Sequence, residues 1–136
     1  MSVTARRRAV PQNFLANCQV SDDVGDMVYV SGDLMGSYYT VTKVDYESRT
    51  KMPAIGMLVM KLTDVTCVVQ VGGEVRSLYT GLTPGRHCFV GINGRLTQAV
   101  PSTPGSGVRY SQPIAYAIAS NTVLLGLHLP TIRVAD

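Results

Sequence analysis

Gln112-Pro113-Ile114-Ala115-Tyr116-Ala117-Ile118-Ala119-Ser120-Asn121-Thr122-Val123-Leu124-Leu125 is the stretch that decides the fold class. Ile114, Tyr116 and Ile118 alternate with Ala115, Ala117 and Ala119; Ser120-Asn121 breaks the run, and Val123, Leu125, Leu127 and Leu129 resume at period two. Successive side chains of a strand point to opposite faces, so this pattern reads as a β-hairpin. Upstream, Val65, Cys67, Val69 and Val71 alternate with Thr66, Val68 and Gln70. Gly72-Gly73 then reads as a turn into Glu74-Val75-Arg76-Ser77-Leu78, a second hairpin. Further strands are expected at Met27 to Ser31, Tyr38 to Tyr46, Ala54 to Leu62 and His87 to Ile92, with Asn93-Gly94 as the strongest short turn signal. Val, Ile and Thr supply 36 of the 136 residues, and helical stretches rich in Ala and Leu are missing. With turns recurring about every 8 to 12 residues, the expected fold is all-β, a small antiparallel β-sandwich or barrel.

A chain of this length suits one domain with its own core. We expect an extended N-terminal arm over residues 1–17 and a single β domain over residues 18–136. The arm holds Arg6-Arg7-Arg8, with Phe14 and Leu15 as its apolar anchors. Removing those three arginines from the twelve basic residues leaves nine, against nine acidic ones, so the arm carries the whole net charge of +3. Only 15% of residues are charged, where about a quarter is usual, which implies a surface partly covered by a partner. Residues 97–108 contain no charge and are rich in Pro, Ser, Thr and Gly, so they read as a long loop. Pro101, Ser102, Thr103 and Pro104 form its candidate contact surface. No apolar run approaches the roughly 18 to 20 residues of a membrane helix, so no membrane partner is expected. The arginines are not followed by an apolar segment, so a secretory leader is not expected either.

Catalytic or metal-binding groups are sparse, and neither a catalytic residue, a metal nor a cofactor is expected. His128 is out of phase with Leu127 and Leu129 and reads as strand-edge; His87 shares a face with Phe89. Cys88 aligns with Val90 and Ile92, and Cys67 with Val69 and Val71, so both thiols read as small core residues. With no CxxC, the three cysteines fit reduced thiols made in a cytoplasm. Asp22, Asp23 and Asp26 surround Gly25 without the spacing of a calcium loop and read as a turn. Neither a phosphate-cradling glycine motif nor GxSxG occurs. The triple arginine could meet phosphates or a carboxylate-rich protein groove. The neutral body offers no basic stripe to extend a nucleic-acid site, so a protein partner is favoured and no direct nucleic-acid contact is expected.

One order of motifs goes further. Thr66-Cys67-Val68-Val69-Gln70 precedes Leu78-Tyr79-Thr80-Gly81-Leu82-Thr83-Pro84-Gly85, then Phe89-Val90-Gly91-Ile92-Asn93-Gly94, the Pro/Thr/Ser-rich loop, and Gln112-Pro113-Ile114-Ala115-Tyr116-Ala117. Over roughly residues 26 to 129 this order resembles small β-rich bacteriophage virion proteins, among them capsid decoration (cement) proteins and head- or tail-fibre modules. The resemblance implies a non-enzymatic structural protein on the outer capsid surface of a virion, synthesised in the bacterial host cytoplasm. It implies a homotrimer whose partners are the major capsid protein and its own copies, with Arg6, Arg7, Arg8, Phe14 and Leu15 gripping neighbouring capsid subunits. The alternative is a phage fibre or receptor-binding module presenting the 97–108 loop with Tyr38, Tyr39 and Tyr46. A fibre usually needs a repeat or coiled-coil shaft, which this chain lacks, so decoration is the preferred expectation.

Overall fold

The structure, a computed structural model, describes residues 12–36, 38–99, 108–126 and 131–134. It is all-β, as expected. The strands are β1 (Gln12–Asn17), β2 (Met27–Met35), β3 (Tyr38–Lys43), β4 (Gly56–Thr63), β5 (Thr66–Arg76), β6 (His87–Val90), β7 (Leu96–Thr97), β8 (Val108–Ser111), β9 (Pro113–Ala119), β10 (Thr122–Leu125) and β11 (Thr131–Val134). The main sheet runs β1-β3-β2-β4-β5-β10-β9-β6-β7, and β1 also pairs with β5. The first five strands therefore close a ring, in which β1–β3 and β2–β4 pair over two residues each. β8 and β11 form a separate two-stranded ladder.

Within the ring every pairing is antiparallel except β1 with β3, which run parallel at Ala16↔Tyr39 and Asn17↔Thr40. Strand β1 corrects the arm boundary. Residues Gln12–Asn17 fall within the segment read as arm, yet they pair with β5 from Gln12↔Gly72 to Asn17↔Thr66, and Ala16 is fully buried. Residues 1–11 lie outside the described residues.

Strand β5 corrects a second expectation. Gly72-Gly73 is no turn but the interior of an eleven-residue strand. Its first part pairs with β1 and β4, and its end, Gly73 to Arg76, pairs with β10. Gly73 takes φ +88°, a conformation open to glycine and costly for a side chain. The buried Gln70 spans the bend, its Nε2 donating to Gly72 O at 3.0 Å and Glu74 O at 2.9 Å. The chain thus passes from the ring into a second sheet within one strand, bending at Gly73.

Two cores follow. Ala16, Cys18, Val28, Val41, Leu58, Cys67 and Val69 fill the ring. On the opposite face of the same strands, Met27 and Met57 join Val75, Cys88, Val90, Ile114, Ala117, Val123 and Leu125 between ring and second sheet. Strands β2 and β4 are therefore covered on both faces, which explains why Met27-Val28-Tyr29 and Met57-Leu58-Val59 are continuous apolar runs rather than alternations. The β9–β10 hairpin is present with its turn at Ser120-Asn121. Asn93 and Gly94 take φ +56° and +74° in the β6–β7 turn, closed by Arg95 N donating to Ile92 O at 3.1 Å. Strand β3 ends at Lys43, short of the expected Tyr46, which is buried in the inter-sheet core.

Candidate interaction surface

The buried polar residues of the ring are occupied in holding loops. Asp22, fully buried, accepts from Gln19 N at 2.8 Å, Thr42 Oγ1 at 2.8 Å and Lys43 N at 3.1 Å. The Lys61 ammonium closes the same loop by donating to Asp22 O at 2.8 Å and to Gln19 O and Val20 O, both at 3.3 Å. Asp26 accepts from Asp23 N at 2.8 Å and from Arg95 Nη1 at 3.0 Å, with Lys43 Nζ at 4.0 Å. The turn expected around Gly25 is present, and its first and last carboxylates are structural ligands of backbone amides. Their burial was not legible from spacing, because beside the local amides of Gln19 and Asp23 their donors come from β3 and the β6–β7 turn.

Tyr79 and Gln112, both within the resemblance motifs, tie the layers together. The Tyr79 hydroxyl donates to Gly25 O at 2.6 Å and accepts from Leu96 N at 2.9 Å, while the Arg95 guanidinium lies 4.9 Å from its ring centroid. Burial raises the Tyr79 pKa against the opposing effects of the Leu96 amide and Arg95. Gln112, fully buried, pairs with both backbone groups of Ala54. The Pro84-Gly85 corner hooks to β9 through Gly85 N donating to Ala117 O at 2.8 Å.

The thiols lie where the alternation predicted. Cys67 and Cys88 are fully buried, the first inside the ring and the second between the layers. Burial pushes the Cys67 thiol up to about 12, helped by a hydrogen bond with the Cys18 thiol, and burial also raises Cys88. Ile92 departs from the expected line: it leaves the strand at the β6–β7 turn and is exposed. Cys18 is buried at the rim of an open cleft of about 520 Å³ at one end of the ring, formed with Asn17, Gly36, Thr40 and Val65. Among the described residues no group of three or more His, Cys, Asp or Glu side chains could hold a metal ion.

Of the large apolar side chains left open, Val20, Val24, Val65 and Ile92 lie in loops and turns, and others line outer sheet faces. On the second sheet Leu124 stands opposite Glu74 on one side and Tyr116 on the other, and Tyr116 stands opposite His87. The row Glu74, Leu124, Tyr116, His87 therefore crosses four adjacent strands, about 14 Å at the usual strand spacing. Leu124 is 37%, Tyr116 39% and the adjacent Ile118 47% exposed, while the alternate residues Val123, Leu125, Ala115 and Ala117 fill the core. Tyr116 meets His87 edge to face at 5.3 Å, and Glu74 pairs with the exposed Arg76. A second stripe, on the ring, joins Leu15, Val68 and Met60 in register. The β9 alternation announced two faces but not their sense: small alanines point inward and large Tyr116 and Ile118 point out.

Of the expected arm anchors, Phe14 is half-buried and packs edge to face on Tyr39 at 6.1 Å, so it secures β1 to its own ring; Leu15 faces outward. Arg6, Arg7 and Arg8, the contact loop Pro101, Ser102, Thr103 and Pro104, and Leu127, His128 and Leu129 lie outside the described residues. Of the three tyrosines expected on a receptor surface, Tyr39 is exposed, Tyr38 is half-buried and Tyr46 is buried, so the structure does not bring them together on one open face. Among the described residues no helix is long and apolar enough to cross a membrane. No protein-family model matches the chain, and neither a curated protein nor a solved structure does.

Proposed function

We propose that the protein is a virion structural protein that decorates a phage capsid, docking on the shell and raising the work needed to separate its subunits. The observation that carries this reading is the row of Leu124 and Tyr116 with Ile118 beside them: three large apolar side chains open on one sheet face while small alanines occupy the core side. Exposed apolar patches rimmed by polar groups are a common mark of protein contact sites. Here the rim is Glu74 and Arg76 at one end and His87 at the other. The low charge content and the order of motifs support the same reading. The partner is the major capsid protein, and the trimer implied by the resemblance belongs to the same proposal, with contacts at several sites adding as linked binding events.

Mixing the purified full chain with capsids lacking it tests this function. Saturable binding that raises the melting temperature of the shell supports decoration. Binding to host cells with none to capsids overturns it in favour of the fibre module.

A further inference from the structure

We propose that the β8–β11 ladder is an oxyanion site, at which Arg109 and Arg133 together take one carboxylate of an acidic protein segment. The register carries the inference. Arg109 stands directly opposite Arg133, and Ser111 stands opposite Thr131. Residues directly opposite in an antiparallel pair share a face, with Cβ atoms about 4.5–5.5 Å apart, and residues two apart on a strand share it as well. Both arginines therefore belong to one face of the ladder, with Ser111 and Thr131 about 7 Å further along it. Val108, Tyr110, Ile132 and Val134 fall on the opposite face. Neither strand contains an acidic residue.

Like charges directly opposite destabilise a strand pair, whereas an acid opposite an arginine supports it. This ladder is poorly placed to carry that cost. Among the described residues β8 and β11 pair only with each other, and an isolated pair of strands is marginally stable. The arginine pair thus breaks a local rule of the fold, as residues held for binding do. A carboxylate between them reverses the sign of the interaction, because a guanidinium meets it with a planar fork of N–H donors. Ser111 and Thr131 add hydroxyl donors to that face and no negative charge. Two cations in eight residues suit a single oxyanion; a nucleic-acid strand needs a basic track along successive phosphates. A protein carboxylate is favoured over a free anion because β8 is joined through Gln112 alone to β9, the strand that carries Tyr116 and Ile118 on its open face. In that choice of source the inference rests on the proposed contact reading.

Amide hydrogen exchange of residues 108–111 and 131–134 is followed by NMR in the full chain at constant ionic strength. The probes are a short acetylated and amidated peptide of alternating glutamate and glycine, its glutamine analogue, inorganic phosphate and a single-stranded oligonucleotide. In the free protein Arg133→Glu sets opposite charges across the pair, and ladder exchange is expected to slow roughly threefold while β2 is unchanged. Arg133→Gln removes the repulsion without adding a charge and is expected to slow it less. The glutamate peptide slows ladder exchange in the wild type and the glutamine peptide does not. Neither variant responds to the glutamate peptide. Ladder exchange in both variants no slower than in the wild type overturns the proposal, since the arginines would then support the ladder as it stands. Equal effects of the two peptides overturn it, as does a response to phosphate with none to the glutamate peptide, or a stronger response to the oligonucleotide. No capsid enters the experiment, so its failure leaves the decoration reading and the apolar row untouched.

Discussion

Gln112 serves Ala54 as a missing strand: its Oε1 accepts from Ala54 N and its Nε2 donates to Ala54 O, both at 2.8 Å and both buried. A single side-chain amide thereby satisfies both polar groups of a residue inside the inter-sheet core, where water does not reach. Gln112→Ala leaves those two groups unpaired, at about 1–3 kcal/mol each. Chemical denaturation is expected to show a loss of about 3 kcal/mol or more with the slope unchanged. A loss under 1 kcal/mol would mean that the pairing contributes little.

Tyr79 joins the Gly25 loop to β7 through one hydroxyl that donates and accepts. Tyr79→Phe keeps the ring under Arg95 but abandons Gly25 O and Leu96 N, so a destabilisation of about 2 kcal/mol is expected. Hydrogen exchange at the Leu96 amide should accelerate more than at amides of β2. Equal acceleration everywhere would indicate global loosening instead of a local tie.

Both residues belong to motifs whose order was legible in the sequence, and their roles were not. The alternation in β5, β9 and β10 announced strands because a period of two needs no knowledge of partners. The Ser120-Asn121 and Asn93-Gly94 turns were readable because their backbone demands are local. Gly72-Gly73 misled for the same reason: two glycines permit a tight turn, but they equally permit a strand to bend between two sheets, and only the pairing partners decide which. Likewise Gln12–Asn17 has few apolar residues and reads as an arm, yet Ala16 and Phe14 suffice to seat it once β3 and β5 flank it. Beyond the local amides of Gln19 and Asp23, the buried Asp22 and Asp26 take donors distant in sequence, as Gln112 takes Ala54, and no spacing reveals these. The apolar row on the second sheet was hidden because alternation does not say which face is wet.

The bend in β5 makes Gly73 a sensitive position. At φ +88° an alanine is strained by about 1–2 kcal/mol, so Gly73→Ala is expected to lower Tm by about 5 °C. An unchanged Tm would show that the strand can bend without a left-handed residue.

Alkaline pH should weaken the fold through the ring interior. Cys67 ionises near 9.0 when unfolded and near 12 when folded, so between those values the unfolded chain releases a proton that the native state keeps. The stability it contributes is complete below about pH 9 and is lost as pH rises towards 12. Melting curves from pH 8 to pH 11 should therefore fall less steeply for Cys67→Ala than for the wild type, whatever the difference at pH 8. Parallel curves would contradict the burial of an un-ionised thiol there.

Under the proposed function the outer face of the second sheet is the contact with the capsid. Its most direct test is the dissociation constant for capsids lacking the protein, measured for wild type, Ile118→Asp and Met60→Asp, each shown to be folded by its own melting curve. Ile118 lies beside Tyr116 and Leu124, and losing one buried apolar side chain at a contact costs about 1.5–3 kcal/mol. Binding at least roughly tenfold weaker is expected for Ile118→Asp, and wild-type binding for Met60→Asp on the ring stripe. Wild-type affinity in a folded Ile118→Asp protein would contradict it.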